Sequence, residues 1–325
     1  MRKIILCIIL FLLSGCAGDE QNRVLNPRER AARKNAGICF SGNCQNGEGV
    51  WKYDDGRRYE GSFIAGRPGG TGIVYLISGS EFSGRFKYGQ YDGHGDVLYG
   101  NGVYADCQRG NCIDGRGVLM FEDGSRYSGG FQNEMRTGYG GMELEDGSTY
   151  SGDFLDGKYH GLGSLILVDG TEYKGQFVEG KMDGDIHIHF PTGYQFVGVF
   201  KGGEMVEGQG RVISPDNSRS ICVEGNCVTG EGLLEFDDGS TYRGNFLNCS
   251  RHGYGEHTFV SGANYKGQFL KGRRHGKGVY TFPSGTTFTG EYKTGQRHGR
   301  GSLIFPDGTS YNVFYRKGKL VEKKY

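Results

Sequence analysis

The stretch GLGSLILVDGTEYKGQFVEGKMDG, Gly161 to Gly184, contains every part from which the rest of the chain is built. Two glycines one residue apart lead into SLILV, a run with the period-two apolar alternation of a strand. Asp169-Gly170 follows, and an Asp-Gly pair between two such runs supplies the positive backbone torsion angles of a tight hairpin turn. The second strand carries Tyr173, Gly175 and Phe177 at i, i+2 and i+4, which places all three on one face. A glycine between two rings leaves bare backbone across which a flanking or neighbouring ring can lie flat. One such unit is one β-hairpin.

The unit recurs. Gly-x-Gly or a close variant starts at Gly47, Gly70, Gly93, Gly115, Gly138, Gly161, Gly184, Gly208, Gly230, Gly253, Gly276 and Gly299, giving twelve units of 22 to 24 residues. The aromatic pairs recur with it, as Tyr59/Phe63, Tyr150/Phe154, Tyr242/Phe246 and Phe288/Tyr292. One face of the resulting sheet is ring-rich, and the other, with Arg116, Lys277 and Arg300, is mixed to polar, an asymmetry antiparallel sheets accommodate. No unit can bury its own rings, so each depends on its neighbours. The expected fold is all-β, an elongated antiparallel β-hairpin repeat array. Fully extended it would measure on the order of 100 Å, before twist shortens it. The 62 glycines belong to this period; without it, they would point to disorder.

Units such as YKGQFLKGRRHGKGVYTFPSG, from Tyr265, resemble MORN repeats (membrane occupation and recognition nexus), whose pattern is Y-x-G-x-[FW]-x-x-G-x-x-H-G-x-G. The resemblance covers nearly the whole chain from Gly47. It weakens where Asp106 and Cys107 interrupt the aromatic segment, where NSRSIC replaces it in the eighth unit, and where YNVFY lacks the glycine in the last. It implies a β-hairpin array that serves as an interaction or scaffolding surface.

The chain begins differently. Arg2 and Lys3 precede ten apolar residues, Ile4 to Leu13, too few to span a bilayer as a mature helix and suited to a removable secretory signal. Leu13-Ser14-Gly15-Cys16 resembles the lipobox of bacterial lipoproteins. That resemblance implies a signal peptide over 1–15 and acyl chains on Cys16, firm enough together to anchor the protein in the bacterial cell envelope. Ala17 in place of Asp implies the outer membrane. Residues 16–38 read as a polar tether, with Asn26-Pro27 and Gly37 as start and stop signals of a short helix, and residues 39–325 as the array.

Little in the sequence resembles catalysis. His160, His252, His275 and His298 all precede Gly-x-Gly, where the resembled pattern itself carries His. His187 and His189 share a strand face, but two ligands with no nearby third make a weak metal site. The repeated Gly-x-Gly lacks the following helix that phosphate loops need. Asp169, Asp238 and Asp307 sit in hairpin turns, where turn chemistry explains them. The expectation is therefore a non-enzymatic protein with no catalytic, metal or cofactor site.

Charge is uneven. From Gly253 to Tyr325 there are thirteen Lys plus Arg against four Asp plus Glu, although the whole chain carries only +1. Lys271, Arg273, Arg274, Lys277, Arg297 and Arg300 form the expected contact for an anionic lipid, an envelope polysaccharide or an acidic protein. Nucleic acid is not expected outside the cytoplasm.

Of nine cysteines, Cys7 leaves with the signal and Cys16 takes the lipid. Six of the others form close pairs, Cys39/Cys44, Cys107/Cys112 and Cys222/Cys227. Zinc would need two pairs to converge, and in a solenoid they lie several units apart. An extracytoplasmic setting makes them disulfide staples. Each stands near a failure of the aromatic segment or at the start of the array, and is expected to replace missing ring packing. Cys249 occupies the loop position held by Gly180 and Gly272 in other units; exposed there, it would link two molecules as a disulfide homodimer.

Overall fold

The computed structural model describes residues 36–325; Cys16, the signal segment and most of the tether lie outside the described residues. Twenty-seven strands, from β1 (Gly37–Gly42) to β27 (Lys319–Lys324), form one open antiparallel sheet in which strands consecutive in sequence pair, except that β5 (Glu81–Lys87) pairs with both β6 (Gln90–Tyr91) and β7 (Gly95–Leu98). The first strand opens at Gly37, two residues before Cys39, and the short helix expected from Asn26 lies outside the described residues.

Two turn types alternate along the two edges. Between units, pairs such as Asp156-Gly157 and Glu179-Gly180 are left-handed at both residues, the two-residue turn whose twist suits a hairpin. Within units the Asp-Gly turn is longer. Only the glycine is left-handed there, with φ of 85° at Gly170, and the Asp169 carboxylate instead accepts the Thr171 N–H at 2.8 Å. The expected positive torsion therefore holds for the glycine and not for the aspartate, which acts as a side-chain turn acceptor.

The two glycines of Gly-x-Gly have separate jobs. Gly161 is left-handed, with φ of 58°, next to the bulge that shifts register between Gly152 and Asp153. Gly163 is not left-handed; a Cβ there would lie 2.3 Å from the Tyr150 hydroxyl oxygen. The Tyr150 ring lies across Gly152 and Gly163, and its hydroxyl donates to the Asp153 carbonyl at 3.1 Å. Tyr59, Tyr127, Tyr242 and Tyr265 repeat this placement, each reaching a backbone carbonyl three residues on. Edge-to-face partners complete the packing, as in Tyr150 with Phe154 at 5.2 Å and with Phe177 at 5.4 Å.

A single-layer sheet buries these rings because it coils. Ser78, on the Asp-Gly edge, hydrogen-bonds Glu134 on the opposite edge, 56 residues later. Tyr53 and Asp114 share the lining of one cavity, and the Tyr194 hydroxyl approaches Gly272. One edge thus folds over the other two to three units along, and the ring face becomes the inside of the coil.

The three disulfides fit the same plan. Cys39–Cys44, Cys107–Cys112 and Cys222–Cys227 are bonded, with Cα separations of 5.9, 6.2 and 5.9 Å. Cys107 pairs with Leu119 and Cys222 with Leu234, as Tyr150 pairs with Leu165. The second sulfur of each pair lies over Gly49, Gly117 or Gly232, as a tyrosine lies over Gly163. Each staple occupies the volume of a missing ring.

Candidate interaction surfaces

Inside the coil, the residue two or three positions before the leading glycine of each unit forms a line that runs along the array. In the centre and C-terminal part it reads Tyr159, Met182, Met205, Val228, Arg251, Arg274 and Arg297. The arginines are roofed by rings: Arg274 Cζ is 5.6, 5.5 and 5.3 Å from the rings of Tyr265, Tyr280 and Tyr292. Arg251 also donates to the Gly272 carbonyl at 2.9 Å, and burial lowers its pKa. These cations tie neighbouring hairpins to one another.

The apolar part of the line opens a groove. The buried core falls into two clusters, one ending at Phe177 and the other beginning at Ile186, with Met182 against both. Ile186 stands where other units have the second glycine, pairs with Gly175 and fills the space above it. Tyr173 cannot lie across that backbone and stays half-buried. It lines a groove of 650 Å³ with Met182, Ile188, Phe200, Met205 and Val228, while Glu204 and Glu207 stand at its rim. The signal in the sequence was Gly184-Asp185-Ile186, a departure from Gly-x-Gly that the period alone passes over.

The six expected anion-contact residues divide between faces. Arg274 and Arg297 are the ring-roofed cations just described. Lys277 and Arg300 lie on the outer face, lining a shallow trough of 550 Å³ with Tyr254. Lys271 is in a left-handed turn and Arg273 follows at the start of its strand, both exposed at the edge. Six residues grouped by sequence are thus two sites and an edge.

Cys249 corrects an expectation. It is 2% exposed, although it occupies a left-handed turn position with φ of 60°. The loop around Tyr194 and the Ser214–Ser218 turn close over it, forming a 290 Å³ cavity that Arg251 also lines. Desolvation pushes the thiol up to about 12, so it is neither exposed nor readily ionised for an intermolecular disulfide. On the strand that begins at Ser250, His257 is pushed down to about 4, by burial first and then by Arg251, whose Nη1 lies 3.1 Å from Nδ1. The Cys249 shift was not readable locally, because its cover comes from chain well before it in sequence; the cation beside His257 lies on its own strand.

Among the described residues no group of three His, Cys, Asp or Glu converges as a metal site, and no helix is long and apolar enough to cross a membrane. His187 and His189 both lie on β15 (Lys181–His189).

Known proteins share the pattern. Alsin of Homo sapiens and of Rattus norvegicus are each 31% identical over 88 residues, 25% of this chain, and the match spans 5% of their length. Solved structures similar to parts of the sheet include the TCP10 domain of Danio rerio CPAP in complex with a STIL peptide, at 14% identity and a TM-score of 0.22, covering 85% of this chain and 98% of that one. The Drosophila melanogaster SAS-4 TCP domain with a proline-rich motif of Ana2 gives 14% identity and a TM-score of 0.25, covering 51% and 90%. The MORN repeat model matches residues 59–81, 82–104, 127–149, 150–172, 173–184, 242–263, 265–287 and 288–310. Those segments take in just over half of the sequence, and the chain belongs to the MORN repeat family.

Proposed function

We propose that this chain is a non-enzymatic scaffold of a bacterial cell envelope, held at the outer membrane by acyl chains on Cys16, that captures a protein partner along its repeat array. The observation that carries the reading is the groove at the core break. Around Arg274 and Arg297 rings close over the inside of the coil; at Met182 and Met205 it opens onto flexible apolar side chains that adapt to a partner. Glu204 and Glu207 at the rim favour a partner segment that joins apolar residues to Lys or Arg. Three disulfides suit an oxidising compartment. A lipid on Cys16 would place the array at the end of a tether of about twenty residues, within reach of soluble and membrane-held partners.

Cells producing Cys16→Ala are expected to release the protein from the membrane fraction or to accumulate it unprocessed; normal membrane fractionation removes the anchor. A photo-crosslinking residue at Met205 is expected to capture one discrete partner, and a second change, Met182→Glu, to abolish that adduct. Adduct formation unaffected by Met182→Glu removes the groove.

A further inference from the structure

We propose that the outer-face trough in the last three units binds an acidic glycan. This rests on the view of the array as an extracytoplasmic binding surface, but not on the inner groove or its protein partner.

The trough is built by register. Tyr254, Lys277 and Arg300 each stand between the two glycines of Gly-x-Gly in successive units, so the repeat sets them along one side. On the other side, Val279 pairs with Thr289, Thr289 with Ser302 and Ser302 with Asn312, in an unbroken cross-strand row. The floor between is the backbone of Gly267, Gly278, Gly290 and Gly301. These groups enclose 550 Å³, open to solvent and running across the strands.

The chemistry suits sugar rings carrying carboxylates or phosphates. Tyr254 is 54% exposed and offers an aromatic platform for the C–H face of a sugar. Thr289, Ser302 and Asn312 offer hydroxyl and amide groups to ring hydroxyls. Lys277 and Arg300 form no salt bridge among the described residues and supply charge, whereas Lys266 is already paired with Glu256 at 3.5 Å. A bilayer surface is disfavoured: lipid recognition uses clusters of about four to eight cations, and here two unpaired cations are separated by Glu291. A single-stranded nucleic acid is disfavoured because successive bases need successive rings, and Tyr254 is the one ring lining the trough.

The test is a binding titration of the purified protein with an alginate oligosaccharide, in parallel with a neutral dextran oligosaccharide, phosphatidylglycerol vesicles and polyuridylate. Saturable alginate binding that weakens with salt is expected, with Lys277→Glu/Arg300→Glu weakening it by about tenfold or more. Tyr254→Ala should weaken it by about fivefold. Lys158→Glu, an exposed charge reversal elsewhere, should leave it unchanged, and thermal unfolding confirms that each variant is folded. The proposal is overturned if alginate does not bind, if the double variant binds as tightly as the native protein, if Lys158→Glu loses as much, or if vesicles or polyuridylate bind more tightly. Such a result with the Met205 crosslink intact leaves the scaffold function standing; loss of the crosslink with alginate binding intact does the reverse.

Discussion

From Gly232 to Gly301 the glycine row passes through seven strands without a gap, each glycine paired with the next. Between Gly175 and Gly232 the same row reads Ile186, Gly198, Gly210 and Cys222. In the first region Tyr242, Tyr265 and Phe288 lie flat over the row and are fully buried. In the second, Ile186 fills one site with its own side chain, Tyr173 is left half-buried, and a groove opens beside it. Glycine row and ring burial are therefore one feature: a side chain in the row displaces a ring, and a displaced ring makes a binding surface.

The strongest way to break that comparison is to put a side chain into the intact row. Gly255 has no left-handed requirement, but a Cβ there would lie 2.3 Å from the Tyr242 hydroxyl oxygen and 2.5 Å from two ring carbons. Gly255→Val should destabilise the protein by about 3 kcal/mol or more through overpacking. Denaturant unfolding measures it; a loss below 1 kcal/mol would mean that the ring can leave the row without cost. Tyr242→Ala in the same background should then cost little more, since the ring has already been displaced.

A smaller effect is expected at the staples, where a sulfur bridge stands in for a ring. Replacing Cys222 and Cys227 by serine should cost about 2 kcal/mol by the chain-entropy estimate for so short a loop. Two buried hydroxyls would then occupy the place of a bridge whose sulfurs are wholly buried, which adds to the loss. The measurement is the unfolding midpoint with and without reductant. Native protein under reductant should approach the Cys222→Ser/Cys227→Ser midpoint once the other two bridges are also replaced; a midpoint insensitive to both changes would show that the bridge adds nothing.

The two regions also differ in how well the sequence announces them. Period, hairpin and ring face were legible because each is local: Gly163, Asp169 and Tyr150 act on residues within a strand or its direct neighbour. The cysteine pairs were legible for the same reason, being five residues apart. The burial of Cys249 was not. It follows from the coil, in which the Tyr194 loop of an earlier unit covers a turn that looks exposed in its own hairpin. The split of Arg274 from Lys277, by contrast, follows from the alternation of a strand, on which residues three apart face opposite ways; grouping the cations by charge alone passed over it. The groove at Met182 lay in a departure from the repeat, which a search for repeats reads as noise.

The finest test concerns one titrating group on the intact side. His257 pairs with Tyr242, as Leu165 pairs with Tyr150, so an ionisable ring stands where the equivalent hairpin has an aliphatic one. Burial first and Arg251 second hold it down to about 4, against an ordinary value near 6.5. Between those values the unfolded chain takes up a proton that the native protein refuses. Stability from a neutral His257 is therefore fully present above pH 6.5 and is lost as the pH falls through 4. His257→Leu removes that proton while keeping an apolar group against Phe236 and Phe259, whose rings lie 5.5 and 4.1 Å from the imidazole. The variant should lose less stability than the native protein between pH 6.5 and 4.5, with the gap widening steadily as acid is added. The Asp-Gly turn carboxylates of Asp169 and Asp307, held low by hydrogen bonds from the residue two positions on, titrate in both proteins and cancel in the difference, whereas Asp238, which His257 also helps to hold low, shifts with the variant. Parallel stability curves over that range would show that the imidazole is solvated in solution, and that the roof over this end of the array is looser than its rings and arginines imply.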